Sequence, residues 1–207
     1  MLHSSLAGRE AELAAEWQAR GSMRIQPLLD DEVAGALLTE LRGLPHRING
    51  AATPDLAYLY FRYDTIPDPA CDHVLCTVGR WLFGNGRAWI GELVGRPLEP
   101  PGDGGLAATL FSKGCYLDPH NDADGVRSVT YVLGLTDEAW PAERGGDLEF
   151  LAPPSRAPVR VVERRAPGWN SLDLFDVERD THIHRIPMLL DHRERRAISG
   201  WFRRPAP

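Results

Sequence analysis

The apolar positions of this chain change their period near its middle. Before residue 100 they recur at helical spacing: Val33, Leu37, Leu38, Leu41 and Leu44 share one face of a helix that Asp30 or Asp31 can cap, and the Gly43 to Pro45 break ends it. An earlier helix is expected over Leu6 to Arg20 behind Ser4 or Ser5. Two shorter ones are expected over Cys71 to Phe83 and Arg87 to Val94, interrupted by Gly84-Asn85-Gly86. Ala57 to Tyr63 is rich in strand formers and reads as an edge strand. Pro97 to Gly105 then gathers Pro97, Pro100, Pro101, Gly102, Gly104 and Gly105 into a segment that no helix or strand accommodates, and it reads as a boundary.

From Leu106 onward the pattern becomes short β-rich runs separated by turn residues. The expected strands are Leu106 to Ser112, Cys115 to His120, Ser128 to Leu135, Asp147 to Leu151, Val159 to Glu163, Ser171 to Val177, Thr181 to Met188 and Arg195 to Phe202. Short strands at this density predict a double-sheet jelly roll or sandwich. The expected fold is therefore α+β: a mainly helical region, 1–105, packing on a jelly-roll core, 106–207. The stripe of Leu37, Leu38 and Leu41 needs a surface to cover it, and the exposed edge of the core's sheet can provide one. The aromatic run Tyr58-Leu59-Tyr60-Phe61-Arg62-Tyr63 is expected mainly in the core, with a place at the substrate entrance as the other reading.

Composition narrows the function. Of 207 residues, 43% are apolar and 25% charged, which is ordinary for a globular domain and argues against disorder or coiled coil. Acidic residues outnumber basic ones 29 to 23, for a net charge of −6, and no like-charge run stands out, so no nucleic-acid partner is expected. No apolar stretch approaches the roughly 18 residues that span a bilayer. Met1 to Glu10 lacks a basic-then-apolar signal pattern, so the expectation is a cytoplasmic protein without a membrane partner. Cys71, Cys76 and Cys115 have no CxxC spacing and are expected to be reduced. Lys113 is the one lysine, which excludes Schiff-base or Walker chemistry built on any other. Oligomeric state is not legible.

Candidate chemistry begins at His120-Asn121-Asp122, after an expected strand. Residues i and i+2 on extended backbone project to one side, so an imidazole and a carboxylate stand together. A metal site needs a third ligand from a distant strand, and Asp180-Thr181-His182-Ile183-His184 offers two histidines. Two histidines and a carboxylate leave three open positions, the arrangement of non-haem Fe(II) oxygenases, whereas zinc usually takes four ligands.

Four further groups of residues lie in order around these. They are Phe111-x-x-Gly114 ahead of His120-x-Asp122; Trp140-Pro141 before Gly145-Gly146-Asp147-Leu148; Pro167-Gly168-Trp169-Asn170-Ser171-Leu172 leading to Phe175; and His184-Arg185-Ile186 followed by Arg195-Arg196-Ala197-Ile198-Ser199-Gly200-Trp201-Phe202. In this ordered set, Leu106 to Arg203 resembles the catalytic domain of Fe(II)/2-oxoglutarate-dependent oxygenases, in the prolyl 4-hydroxylase-like branch. The resemblance implies a double-stranded β-helix with His120, Asp122 and His184 as catalytic metal ligands. His184 is preferred because Ile186 supplies the family's apolar β-branched residue two positions later; His182, on the same strand face, is the fallback.

The resemblance also implies the cofactors: Fe(II), 2-oxoglutarate as cosubstrate, O2, and ascorbate as an accessory reductant. The far carboxylate of 2-oxoglutarate needs a planar, permanently charged fork, and Arg195 holds the family position for it. Strand alternation puts Arg195, Ala197, Ser199 and Trp201 on one face and Arg196 on the other, outward in solvent. Ser199 is expected near the metal or in the core, Trp201 against the substrate or in the core. The chain departs from the family where a tyrosine usually contacts the far carboxylate: Gly134 stands there, and Phe111 replaces another tyrosine. Thr130, on the Gly134 face, is the expected compensating donor, with Tyr116 and Tyr131 as others, and Gly134 is expected to leave extra room.

Aspartate at position 122 rather than a small residue argues for hydroxylation over halogenation. The implied activity is hydroxylation of an unactivated C–H with release of succinate and CO2, on a prolyl or other amino-acid residue of a protein or peptide substrate. A free small-molecule substrate is the near alternative. A cupin-like metal-binding module without turnover is the rival of another class, and a zinc hydrolase would leave Arg195 and Trp169-Asn170 without a role.

Overall fold

The computed structural model describes residues 1–103, 105–137, 139–153, 159–177 and 182–206; Gly104, Asp180 and Thr181, named above, lie outside this set. Four helices and eleven strands are formed among the described residues. The helices are α1 (Glu10–Arg20), α2 (Asp31–Gly43), α3 (Val74–Phe83) and α4 (Asn85–Val94). The strands of the N-terminal region are β1 (Ser22–Ile25), β2 (Arg47–Ala52) and β3 (Ala57–Thr65). Those of the second half are β4 (Leu106–Phe111), β5 (Tyr116–His120), β6 (Arg127–Leu135), β7 (Leu148–Leu151), β8 (Val161–Arg165), β9 (Trp169–Asp176), β10 (Ile183–Ile186) and β11 (Arg195–Arg203).

All strands pair antiparallel, in the order β1-β9-β6-β11-β4-β3-β5-β10-β7-β8, with β2 beside β3. The sheet curls into a double-stranded β-helix. Strand β3 makes the turn from one layer to the other: Phe61 to Thr65 pair with β4, while Tyr58 and Leu59 pair with β5. It is therefore an interior strand, not the edge strand expected. Its alternation sends Tyr58, Tyr60 and Arg62 toward the barrel interior, and Phe61 and Tyr63 into apolar clusters. Among the described residues no helix is long and apolar enough to cross a membrane.

The helices cover the outer face of the larger layer. Leu37, Leu38 and Leu41 of α2, with Leu75, Val78 and Leu82 of α3 and Ile90 and Leu93 of α4, pack on Leu133, Leu172, Leu174, Ile198 and Phe202. Burying each such side chain contributes about 1.5 to 3 kcal/mol. This cover explains a departure from expectation at Arg196. It points away from the barrel interior, but that direction is under α2, so it is buried and its Nη1 donates to the Leu41 carbonyl (3.2 Å).

Local chemistry sets the helix limits. Gly8 (φ +82°) interrupts the expected first helix, leaving a single 3-10 turn at Ser4–Leu6 before α1, and Gly21 (φ +65°) closes α1. Only Gly84 breaks the α3–α4 run, because Gly86 fits inside α4 against Trp81, where a Cβ would stand 2.9 Å from the Trp81 carbonyl oxygen. Cys71 and Cys76 are not reduced but joined in a disulfide across the first turn of α3, which begins only at Val74; Cys115 is free and buried.

Candidate functional site

His120 is the last residue of β5, and His184 lies opposite it in the β10–β5 ladder. Asp122, two residues past the strand end, turns back toward both rings. Oδ1 is 3.4 Å from Nε2 of His120 and Oδ2 is 3.6 Å from Nε2 of His184. One donor atom from each of the three falls within 4.8 Å of the others. Among the described residues no fourth histidine, cysteine or carboxylate joins them.

Both rings are set by their far nitrogen. His120 Nδ1 contacts the Asp118 carbonyl (2.9 Å) and His184 Nδ1 the His182 carbonyl (3.1 Å). With Nδ1–H donating to a carbonyl, Nε2 presents its lone pair to the cluster. Asp122 is held as well, because Thr130 Oγ1 donates to its Oδ2 (2.8 Å). Phe175 packs edge-on against His184, with ring centroids 4.8 Å apart.

The electrostatics suit a cation. Burial alone would raise the Asp122 carboxyl, but His184 and the bond to His120 outweigh it and hold the group far below the usual carboxylate range. Burial pushes His184 down to about 4 with the His120 ring adding to the effect, so it is a neutral ligand at physiological pH. Burial acts the same way on His120, but the Asp122 carboxylate overcomes it and raises that ring. Two imidazole nitrogens and one carboxylate converging on one point, with a cavity on the far side, fit a metal that keeps open positions. His182 is not part of the group. It is buried beside Phe150 and Phe175, with Nδ1 2.7 Å from the Asp176 carbonyl.

The cavity has a volume of about 360 Å3 inside the barrel, with the triad on one wall and Arg195 on another. Val132, Leu148, Phe175 and Ile186 give it apolar sides. Arg195 is 6% exposed, and its guanidinium sits over Phe111 at 5.2 Å, while the Tyr60 ring stacks on Phe111 at 5.0 Å. No carboxylate of the described residues forms an ion pair with it. Burial pushes its pKa down to about 10, opposed by Asp173 and Asp147 and assisted by Arg24, so it remains a cation. A buried guanidinium without a contacting anion is costly unless a ligand completes it.

The other expected residues are distributed as follows. Ser199 and Trp201 line the cavity. Thr130 lines it too, but its hydroxyl is directed at Asp122 rather than at the Arg195 end. Tyr131 is on the opposite face of β6, buried against Phe202, and Tyr116 is outside the cavity. Gly134 opens no room: a Cβ there would stand 2.9 Å from the Gly168 carbonyl oxygen and 3.0 Å from Ser171 Oγ. Arg127 carried no signal in the sequence, yet it lies over Trp201 at 3.7 Å, donates to the Asp122 carbonyl (3.3 Å) and pairs with Asp124.

Comparison with known proteins follows the same residues. A family model described as the 2OG-Fe(II) oxygenase superfamily matches residues 106–203. A prolyl 3,4-dihydroxylase from Ostreococcus tauri is 32% identical over 125 residues, 56% of this chain and 23% of that protein. The chain thus spans about a quarter of the length of such curated relatives. A Pseudomonas putida prolyl-4-hydroxylase superposes with a TM-score of 0.64 at 21% identity, over 95% of this chain and all of that one. A Trichoplax adhaerens prolyl hydroxylase, solved with a hypoxia-inducible factor peptide fragment, gives 0.70 at 16% identity, over 96% and 92%.

Proposed function

Since residues 106–203 belong to the 2OG-Fe(II) oxygenase superfamily, we propose that this chain is a 2-oxoglutarate-dependent dioxygenase that hydroxylates a prolyl or similar residue in a protein or peptide. The observation that carries the proposal is the placement of two unlike functions on one cavity. A three-ligand cluster of His120, Asp122 and His184 stands on one wall, and an unpaired guanidinium, Arg195, stands on another. A metal ion alone would need only the first. A cosubstrate chelated at one end and anionic at the other needs both.

Iron and 2-oxoglutarate, when bound, supply the oxidising chemistry: O2 is reduced, the oxo acid becomes succinate and CO2, and a C–H bond becomes C–OH. The protein residues position and insulate. The carbonyls of Asp118 and His182 fix the two imidazoles, and Thr130 fixes the carboxylate, so that their donor atoms converge before metal arrives. Arg195, stiffened by its stack on Phe111, receives the far carboxylate as a bidentate fork. Val132, Leu148, Phe175 and Ile186 keep water from the space between.

The wall formed by Tyr58, Arg127 and Trp201 is the side for the substrate. A protein or peptide substrate is supported by the names of the relatives, prolyl 3,4-dihydroxylase and prolyl hydroxylase in complex with a peptide. Ser199, between Ala107 and Val132 in the ladder, is assigned to the same interior as a polar contact for the cosubstrate.

The test is to incubate the full chain with Fe(II), 2-oxoglutarate, O2 and a library of peptides each containing one proline, and to read products by mass spectrometry. A one-oxygen mass gain on proline in a subset of sequences is expected. Steady succinate formation with no peptide modified would contradict the prolyl part of the reading and leave a free small molecule as the substrate.

A further inference from the structure

Behind Arg195 the barrel closes on a second cavity of about 10 Å3, room for a single water molecule. Arg195, Val132 and Leu148 belong to the walls of both cavities, so the small one adjoins the large one at Arg195. Around it the acceptors are already engaged. Asp173 takes both Nε and Nη2 of Arg24 (2.9 and 2.7 Å) and Nη1 of Arg165 (3.1 Å). The Gly168 carbonyl takes the Thr136 N–H (3.1 Å).

The donors, by contrast, are left over. Ser171 Oγ is buried with no hydrogen-bond partner among the described residues. The remaining guanidinium nitrogen of Arg24, Nη1, makes no hydrogen bond among them and stands 3.8 Å from where a Cβ on Gly168 would be; the same Cβ would meet Ser171 Oγ at 2.3 Å. The Arg195 guanidinium is also uncompensated. A niche where these donors stand beside carboxylate and carbonyl oxygens already engaged suits an oxygen that brings lone pairs.

Glycine at position 134 belongs to the same construction. Gly134 and Ser171 are directly opposed across the β6–β9 ladder, so a side chain at one would displace the hydroxyl of the other. We infer that Ser171 and Arg24 complete the anionic end of the cosubstrate site through one water in this niche, which hydrogen-bonds the far carboxylate beside Arg195. The inference rests on the oxygenase reading above. It assigns to these two the part that a tyrosine hydroxyl at position 134 would play, and it brings β1, from the N-terminal region, into the cosubstrate site. Both are positioning residues: they touch the carboxylate only through the water, and Arg24 also holds Asp173 in place.

The test is calorimetric titration of the full chain, loaded with Mn(II) under anaerobic conditions, with 2-oxoglutarate and with 2-oxobutyrate, which lacks the far carboxylate. In Ser171→Ala the Kd for 2-oxoglutarate is expected to rise about five- to tenfold, the loss of about one hydrogen bond. The Kd values for 2-oxobutyrate and Mn(II) stay unchanged. An unchanged 2-oxoglutarate Kd in Ser171→Ala, or an equal rise for both oxo acids, would overturn the assignment while leaving the oxygenase reading intact. A wild-type protein that binds Mn(II) but neither oxo acid would overturn both.

Discussion

His184 stands directly across the β10–β5 ladder from His120, and the two rings are 4.2 Å apart at their centroids. Because both are anchored through Nδ1, that ladder pairing fixes where their Nε2 atoms meet. His182, two residues earlier, is turned onto the Asp176 carbonyl instead. His184→Ala is therefore expected to abolish Fe(II) binding at equimolar metal, and His182→Ala to retain it, as measured by metal analysis after desalting. The reverse pattern would assign the ligand to His182.

Thr130 reaches the His120, Asp122 and His184 cluster through its bond to Asp122. Thr130→Val keeps the shape and removes the donor to Oδ2, leaving the carboxylate free to rotate. A loss of about tenfold in Fe(II) or Mn(II) affinity is expected, the usual scale for a partner one shell out from the metal. The 2-oxoglutarate Kd at saturating metal should change little, because the hydroxyl faces away from Arg195. A large effect on cosubstrate with none on metal would return Thr130 to the carboxylate site.

Arg195→Lys keeps the charge and loses the fork and the stack on Phe111. The 2-oxoglutarate Kd is expected to rise about tenfold or more, with metal affinity unaltered, since an ammonium cannot offer a carboxylate the two parallel hydrogen bonds of a guanidinium. Equal cosubstrate affinity in the variant would remove Arg195 from the account.

Asp147 gives the pH prediction. It is 1% exposed, its Oδ1 has no partner among the described residues, and burial, opposed by Arg164 and assisted by Glu149, pushes its pKa from 3.8 up to about 6. A carboxyl whose folded value is raised favours the fold while protonated and loses that contribution as pH rises through about 6. Asp147→Asn is thus expected to be more stable than wild type at pH 7 to 8, by about 3 kcal/mol at most, with the difference fading below about pH 4. Denaturant melts at both ends of that range check it; a gain that is the same at every pH would locate the effect elsewhere.

Much of the second half was legible because its strands alternate cleanly and its chemistry sits on strand ends. His120 and Asp122 stand two apart, and Arg195 begins a strand whose even spacing carries Ser199 and Trp201 to the same cavity. What the pattern could not supply was the identity of the layer facing each side. Alternation put Arg196 opposite Arg195 correctly, but only the packing of α2 makes that side buried. Strand β1, four residues long, and β2, Arg-Ile-Asn-Gly-Ala-Ala, carry little β propensity of their own and are held by neighbours Asp173 and Tyr60. The Cys71–Cys76 disulfide follows from the turn that leads into α3, and no spacing rule announces it. Arg24 gave no signal for the same reason as β1: its role depends on a carboxylate 149 positions away.

The most direct test of the central claim is succinate production by the full chain with Fe(II), 2-oxoglutarate and O2, measured beside Asp122→Ala at matched protein concentration. Succinate is expected to form in step with O2 consumed, to be absent without iron and to be lost in the variant. Wild-type protein that binds both iron and 2-oxoglutarate yet forms no succinate over background, with any prolyl peptide or without one, would contradict it and leave a metal-binding module without turnover.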